Sequence, residues 1–263
     1  MSGDDVAARL SWSASKVSRI ETNRIGIKPS DLTQLLDLYL VDGDQRKQLE
    51  ALAAVKETRG WWSAYADTVP AEYLAYIGLE NSATTLRAWS PEIVHGLLQT
   101  EDYATAMLDA VFGTRIRPGE IRRRIEARLK RQALLTRADA ADFTFILDEA
   151  ALRHRFGTSA TMRAQLGQLE RLSRLPTTTI RVLPFAGPHP AGPGGFAILS
   201  FAPVRGTRLN DVVYVEHLAG ANLLDDETET DEHELAFRRL SGAALDADAS
   251  RALIVSIARD QWS

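Results

Sequence analysis

Two short helical patterns separated by three residues bound what the start of this chain can fold into. In SGDDVAARL, Ser2 is placed to cap a helix, and Val6, Ala7 and Leu10 fall on one face. Ser11 and Trp12 interrupt that pattern. SASKVSRIETN follows. Ser13 can cap a helix from Ala14 to about Thr22, and Asn23 stands where a left-handed C′ residue is wanted. KPSDLTQLLDLYL opens on Pro29 and Ser30 and carries Leu32, Leu35, Leu36 and Tyr39 as an apolar stripe. Leu49, Leu52 and Val55 continue the helical spacing. Four helices with short turns make residues 1–59 a compact all-helical module. A helix of about eight residues, a three-residue turn and a second short helix is the unit that places its second helix in the DNA major groove.

The second helix sorts its residues accordingly. Val17 and Ile20 are three apart and are expected to point inward, leaving Ala14, Ser15, Lys16 and Arg19 outward. Arg19 suits a bidentate contact with a guanine edge. Ser13, Ser15 and Lys16 suit phosphate or base contacts near the helix N-terminus, where the dipole favours an anion. Arg24 and Lys28, just past the helix, are within reach of the DNA backbone. The whole chain carries a net charge of -4, which argues against a protein that coats nucleic acid. It does not argue against a small reading module, because the local field decides that matter.

VAARLSWSASKVSRIETNR resembles the lambda-repressor-like helix-turn-helix of XRE-family transcriptional regulators, over about sixty residues with the helices that follow. The resemblance implies base-facing positions at Ala14, Ser15 and Arg19 and core positions at Val17 and Ile20. Domains of that family begin with a further helix, ahead of the one starting near Ser2. The expectation is therefore a module whose first helix is missing. Glu21 then lacks the arginine that commonly pairs with it in the family. Val6, Leu10 and Val17 lack part of their cover, at a cost on the order of 25 cal/mol per Å² of apolar surface left exposed.

GWWSAYADTVP, residues 60–70, is aromatic and irregular and reads as a junction to a second domain, 60–263. Trp61 and Trp62 are read there as core or interface filling. Beyond it, AEYLAYIGLENSATTLRAW reads as a helix. SPEIVHGLLQT reads as a turn before a helix from about Glu101, and PGEIRRRIEARLKRQALLTR as a strong helix. DFTFILDE is the first clear strand, and TTTIRVLPF, GGFAILSF and DVVYVEHL are three more. Residues 143–147 and 180–183 are expected to be neighbours through a helical crossover, with the later strands forming an antiparallel meander. Two helices close the chain. The fold class is α+β: an N-terminal all-α helix-turn-helix module, then a larger helix-rich domain with one small mixed sheet. AGPHPAGPGGF, residues 186–196, is the Gly/Pro-rich loop, with a hairpin or lid as its default reading.

The second domain resembles the C-terminal domain of unknown function found in many actinobacterial XRE regulators, the WhiJ-like group. YIGLENSATTLRAWSPEIVHGLLQTEDYA, IRVLPF, GGFAILSF, DVVYVEHL and FRRLSGAALDADASRALI carry that likeness. It implies a regulator, often encoded beside a small partner protein with which it forms an antitoxin-like pair, and no enzymatic activity. The residues agree with that. There is no cysteine, no phosphate-binding loop and no G-x-S-x-G elbow. His95, His154, His189, His217 and His233 are scattered and lack metal-ligand spacing. Glu216 with His217, and Asp231 to Glu234, have a solvated acidic face as their default reading. Glu80 with SPEIVHGLLQT lines a pocket between helices, or else Leu97, Leu98 and Tyr103 are core and Gln99 and Thr100 cap the next helix.

Two charge blocks stand out. Residues 115–137 hold nine Arg or Lys against two Glu, and residues 225–234 hold seven acids with no Lys or Arg. The plain reading is a solvated helix face and an acidic loop. The sharper one is mutual attraction, or a basic helix that holds an acidic partner or flanking DNA. The expectation for the whole is a cytoplasmic, dimeric DNA-binding transcriptional regulator. Its partners are an operator, a second copy and a small protein encoded nearby, with a small-molecule ligand unidentified and no cofactor or metal. The alternative is a protein- or ligand-binding module with a vestigial DNA-binding domain, and a third class is an enzyme recruited from the regulator scaffold.

Overall fold

The computed structural model describes residues 1–21, 27–54, 60–190, 194–203, 209–217 and 220–262. The chain divides into two compact units, one spanning Met1–Ser63 and the other Ala64–Ala202 with Leu209–Ser263.

The first unit contains α1 (Gly3–Leu10), α2 (Ala14–Glu21), α3 (Pro29–Leu38) and α4 (Gly43–Ala54). Its helix ends follow from local chemistry. Ser2 closes a capping box with Asp5: the Asp5 N–H donates to Ser2 Oγ (3.2 Å) and the Ser2 N–H to Asp5 Oδ2 (2.9 Å). At the other end Ser11 turns left-handed (φ 55°), and its N–H returns to the last turn of α1. Ser13 starts α2 by accepting the Lys16 N–H at Oγ (3.1 Å). Lys28 holds the N-cap position of α3, with Pro29 at the first helical position. The core of the unit is Val6, Ala7 and Val17, with Leu10, Trp12, Leu35 and Leu38 packed against them. Val6 and Val17 are only 1% and 3% exposed, so α2 and α3 close over the apolar face of α1. This corrects the expectation that Val6 and Val17 lack cover. The cover comes from Leu10, Trp12, Leu35 and Leu38, which pack against this cluster. Glu21 is exposed, and its Oε2 would lie 3.1 Å from a Cβ at Gly3. Trp61 and Trp62 meet edge to face at 5.9 Å between centroids.

The second unit is built on a six-stranded mixed sheet in the order β3-β2-β1-β4-β5-β6. Its strands are β1 (Thr85–Ser90), β2 (Asp142–Asp148), β3 (Thr178–Leu183), β4 (Phe196–Ser200), β5 (Val212–His217) and β6 (Gly220–Leu224). β1, β2 and β3 are mutually parallel, and β4, β5 and β6 continue antiparallel. The helices are α5 (Ala71–Ser82), α6 (Glu101–Phe112), α7 (Pro118–Arg131), α8 (Glu149–Arg153), α9 (Ser159–Leu172), α10 (Glu227–Ala243) and α11 (Ala247–Gln261). The pairing of 143–147 with 180–183 through α9 and the antiparallel meander agree with the sequence pattern. The helix read through residues 85–89 does not: that stretch belongs to β1, in the middle of the sheet.

Alternation along the strands divides the core in two. Leu86, Ala88, Phe143, Phe145, Leu147, Ile180, Val182 and Leu199 face the larger cluster, which holds Tyr76, Leu97, Tyr103, Ile125, Leu166 and Ile254 from the covering segments. Trp89, Ile146, Leu183, Ile198 and Val213 face the other way and meet Phe237, Leu240 and Ala244. Arg87 points to that second face, where Glu234 and Asp211 receive its guanidinium. The edge strand β3 is not left open: the Leu245 N–H donates to Val182 O, the Val182 N–H to Ser250 Oγ, and Arg181 to the carbonyls of Ala244 and Leu245. Gly195 passes so close to β1 that a Cβ there would stand 2.9 Å from Trp89 O, which explains the glycine at the entry to β4.

Candidate nucleic-acid interface

The sequence-derived DNA-facing residues fall into three groups. Ser13, Ala14, Ser15 and Arg19 are exposed on α2 or at its start, and Lys28 is exposed at the head of α3. Arg19 donates from Nε to Ser15 O (3.1 Å), a bond that props the side chain along the helix and engages Nε alone. Arg24 lies outside the described residues. Lys16 differs from expectation. Its ammonium is 2.8 Å from Asp31 Oδ1 and 3.7 Å from the centroid of the Trp12 ring, so it turns toward α3 rather than outward. Asp31 is mostly buried, and an opposite charge within reach outweighs hydration for a flexible ammonium. Sequence reasoning missed Trp12 and Asp31. Asp31 stands fifteen positions from Lys16, and no local spacing rule joins them.

The electrostatics of this unit are modest. Arg46 is tied to Asp37 and to Glu50. Among the described residues, the exposed cations nearest α2 in sequence are Arg9, in the last turn of α1, Arg19 and Lys28.

The second unit places its chemistry inside the fold. Leu97, Leu98 and Tyr103 are fully buried, and Thr100 Oγ1 caps α6 by accepting the Tyr103 N–H (3.3 Å). Gln99 is bonded on both sides: its amide donates to Val94 O (2.7 Å), and its Oε1 accepts from Arg128 (3.0 Å). The Glu80 side chain is fully buried. It forms a bidentate pair with Arg131 (Nε to Oε2, 2.7 Å; Nη2 to Oε1, 2.6 Å), and Arg131 also donates to the Tyr73 hydroxyl. Tyr76 stacks on Tyr214 at 4.0 Å. Burial drives the Tyr76 and Tyr214 hydroxyls upward, and pushes Tyr103 up to about 12.

His95 completes this cluster. Its Nδ1 accepts the Leu97 N–H (3.3 Å), which leaves the proton on Nε2, facing the Tyr76 hydroxyl (3.3 Å). Desolvation, then the positive charges of Arg131 and Arg128, hold its pKa well below the usual imidazole value. The unfolded chain thus takes up a proton that the folded one refuses. Stability is fully present above about pH 6.5 and falls below it, by up to about 1.4 kcal/mol per pH unit until the folded imidazole itself titrates. Urea unfolding from about pH 7.5 to 5.5 is expected to show this slope, and His95→Gln to flatten it. An unchanged slope in the variant assigns the acid sensitivity to other groups.

Some members of each charge block have partners within the second unit. Arg123 reaches Asp67 and Thr68, Arg124 the Thr68 carbonyl, Arg131 Glu80, and Arg137 Asp139. On the acidic side Asp226 caps α10 and Glu234 pairs with Arg87. Asp148 meets His189 (2.7 Å) at the carboxyl end of β2, and Glu149 pairs with Arg153. Among the described residues no group of three or more His, Cys, Asp or Glu could hold a metal ion. No helix there is long and apolar enough to cross a membrane.

Comparison with known families matches both units. A family described as a helix-turn-helix domain matches residues 1–49. A family described as a domain of unknown function (DUF5753) matches residues 73–256. No curated protein matches the chain.

Proposed function

Since this chain belongs to the family described as a domain of unknown function (DUF5753) and carries a helix-turn-helix domain ahead of it, we propose that it is a DNA-binding transcriptional regulator of the XRE type. In this reading α2 enters the major groove of an operator, Arg19 and Ser15 meet base edges, and Ser13 and Lys28 meet the backbone. The observation that carries it is the solvent-facing row of Ser13, Ala14, Ser15 and Arg19 on a helix whose opposite side, at Val17, is locked into a small core. Two copies read paired half-sites, and the larger unit supplies the contact between them. That unit also senses a partner protein or a small ligand, in keeping with the likeness to WhiJ-like, antitoxin-like regulators. No catalytic step is part of this reading.

The test is a salt-titrated binding assay on the DNA upstream of the protein's own gene, against a scrambled duplex of the same length. Tighter binding to the upstream duplex, with two chains per site, is expected. Equal binding to both duplexes at every salt concentration overturns sequence reading by this module.

A further inference from the structure

We propose that Asp31 acts as an internal stand-in for a DNA phosphate, withholding Lys16 from the DNA backbone and so keeping sequence-independent affinity low. The inference rests on the DNA-binding reading above and assigns a specificity-determining role within the same site.

Lys16 is the third residue of α2. In a helix that docks by its N-terminal end, a lysine there stands where a phosphate would approach. Its ammonium is nevertheless engaged twice, by Asp31 Oδ1 at 2.8 Å and by the Trp12 ring at 3.7 Å. The Asp31 side chain is 12% exposed and the Lys16 side chain 29%. Moving Lys16 onto a phosphate would strip a mostly covered carboxylate of the cation facing it and lift the ammonium from an aromatic face. The gain would be one contact at the solvent-exposed DNA surface, where counterions already screen the phosphate. The balance keeps Lys16 on Asp31, so it is a positioning residue rather than a backbone contact. Backbone contacts are sequence-independent, and a lysine held off the phosphate lowers binding to all DNA alike. What remains is weighted toward the groups that meet base edges.

Salt dependence separates the two roles. Each phosphate contact adds about 0.9 to the slope of log affinity against log salt. The full chain is titrated on the upstream and the scrambled duplex as wild type, Lys16→Met, Asp31→Asn and the double variant. Lys16→Met is expected to keep the wild-type slope. Asp31→Asn frees the ammonium and is expected to steepen the slope by about 0.9, so that its gain on scrambled DNA shrinks about 3.5-fold between 0.05 and 0.2 M salt. The double variant is expected to return to the wild-type slope. A loss of about 0.9 in Lys16→Met, or an unchanged slope in Asp31→Asn, overturns the proposal. If Asp31→Asn does not fold by circular dichroism, Lys16→Met decides alone, since it removes the ammonium and keeps most of the apolar stem. A wild-type chain that binds neither duplex removes the DNA-binding reading and this inference with it. Binding with the wrong slopes removes the inference alone.

Discussion

Glu80→Ala is expected to cost the larger unit about 3–5 kcal/mol, because it leaves the Arg131 guanidinium charged and buried with no counterion. The two side chains are 2% and 0% exposed, and Arg131 uses Nε and Nη2 on the carboxylate. Water does not replace the lost partner at such a site, so the full desolvation penalty of one ion remains. Arg131→Met is expected to be comparably damaging, for the mirror-image reason at Glu80. The double variant Glu80→Leu with Arg131→Met removes both charges and is expected to recover much of the loss. Urea unfolding of the full chain, followed by far-ultraviolet circular dichroism, gives the four corners of the cycle. Additive losses would show that the pair is not coupled. The tyrosines make coupling the expected result: the Tyr73 hydroxyl accepts from Arg131 only while the guanidinium is held in place, and the guanidinium lies 5.1 and 5.2 Å from the rings of Tyr73 and Tyr76.

Arg19→Ala is expected to weaken operator binding by about 1–3 kcal/mol, roughly 5- to 150-fold, and to relax discrimination at one base pair. The side chain is exposed and donates from Nε to Ser15 O, so its outer guanidinium nitrogens are the groups expected to meet a base edge. Lys28→Ala is the matched control. Its ammonium is expected to meet phosphate, so its loss should weaken all sequences alike and lower the salt slope by about one. Competition binding against single-base operator variants separates the two. An Arg19→Ala chain that loses affinity equally on every variant would place Arg19 on the backbone instead.

The helix-turn-helix was legible because its signals are local. Ser2, Ser13 and Pro29 each act within one turn of where they stand, and Val6, Ala7 and Val17 fall on faces fixed by a 3.6-residue period. The parallel pairing of β2 and β3 was legible for a similar reason, since their β-branched and aromatic runs flank a helix long enough to cross over. β1 was not. TLRAWS follows directly on α5 and has an arginine at a position that becomes the middle of a sheet. Arg87 is tolerable there only because α10 brings Glu234 onto the same face from 147 residues away. β6 escaped notice because GANLL has no β-branched residue, and its strand character comes from pairing with β5.

The same division runs through the functional residues. By itself the sequence determined which helices form at the N-terminus, where α1 stops, and that Ser15 and Arg19 stand on an outer face; the expected left-handed Asn23 after α2 and Val55 in the fourth helix lie outside the described residues. Those outcomes depend on neighbours within four residues. The tertiary structure decided which charges remain available to a partner. Lys16 and Arg19 look alike in a linear reading, three positions apart on one short helix. Only folding sets Lys16 against Asp31 and Trp12 while leaving Arg19 exposed. It likewise set Glu80, for which the sequence left a pocket and a core reading open, into a buried ion pair. A charged side chain takes the best partner within reach, and what lies within reach is fixed by long-range packing rather than by sequence spacing.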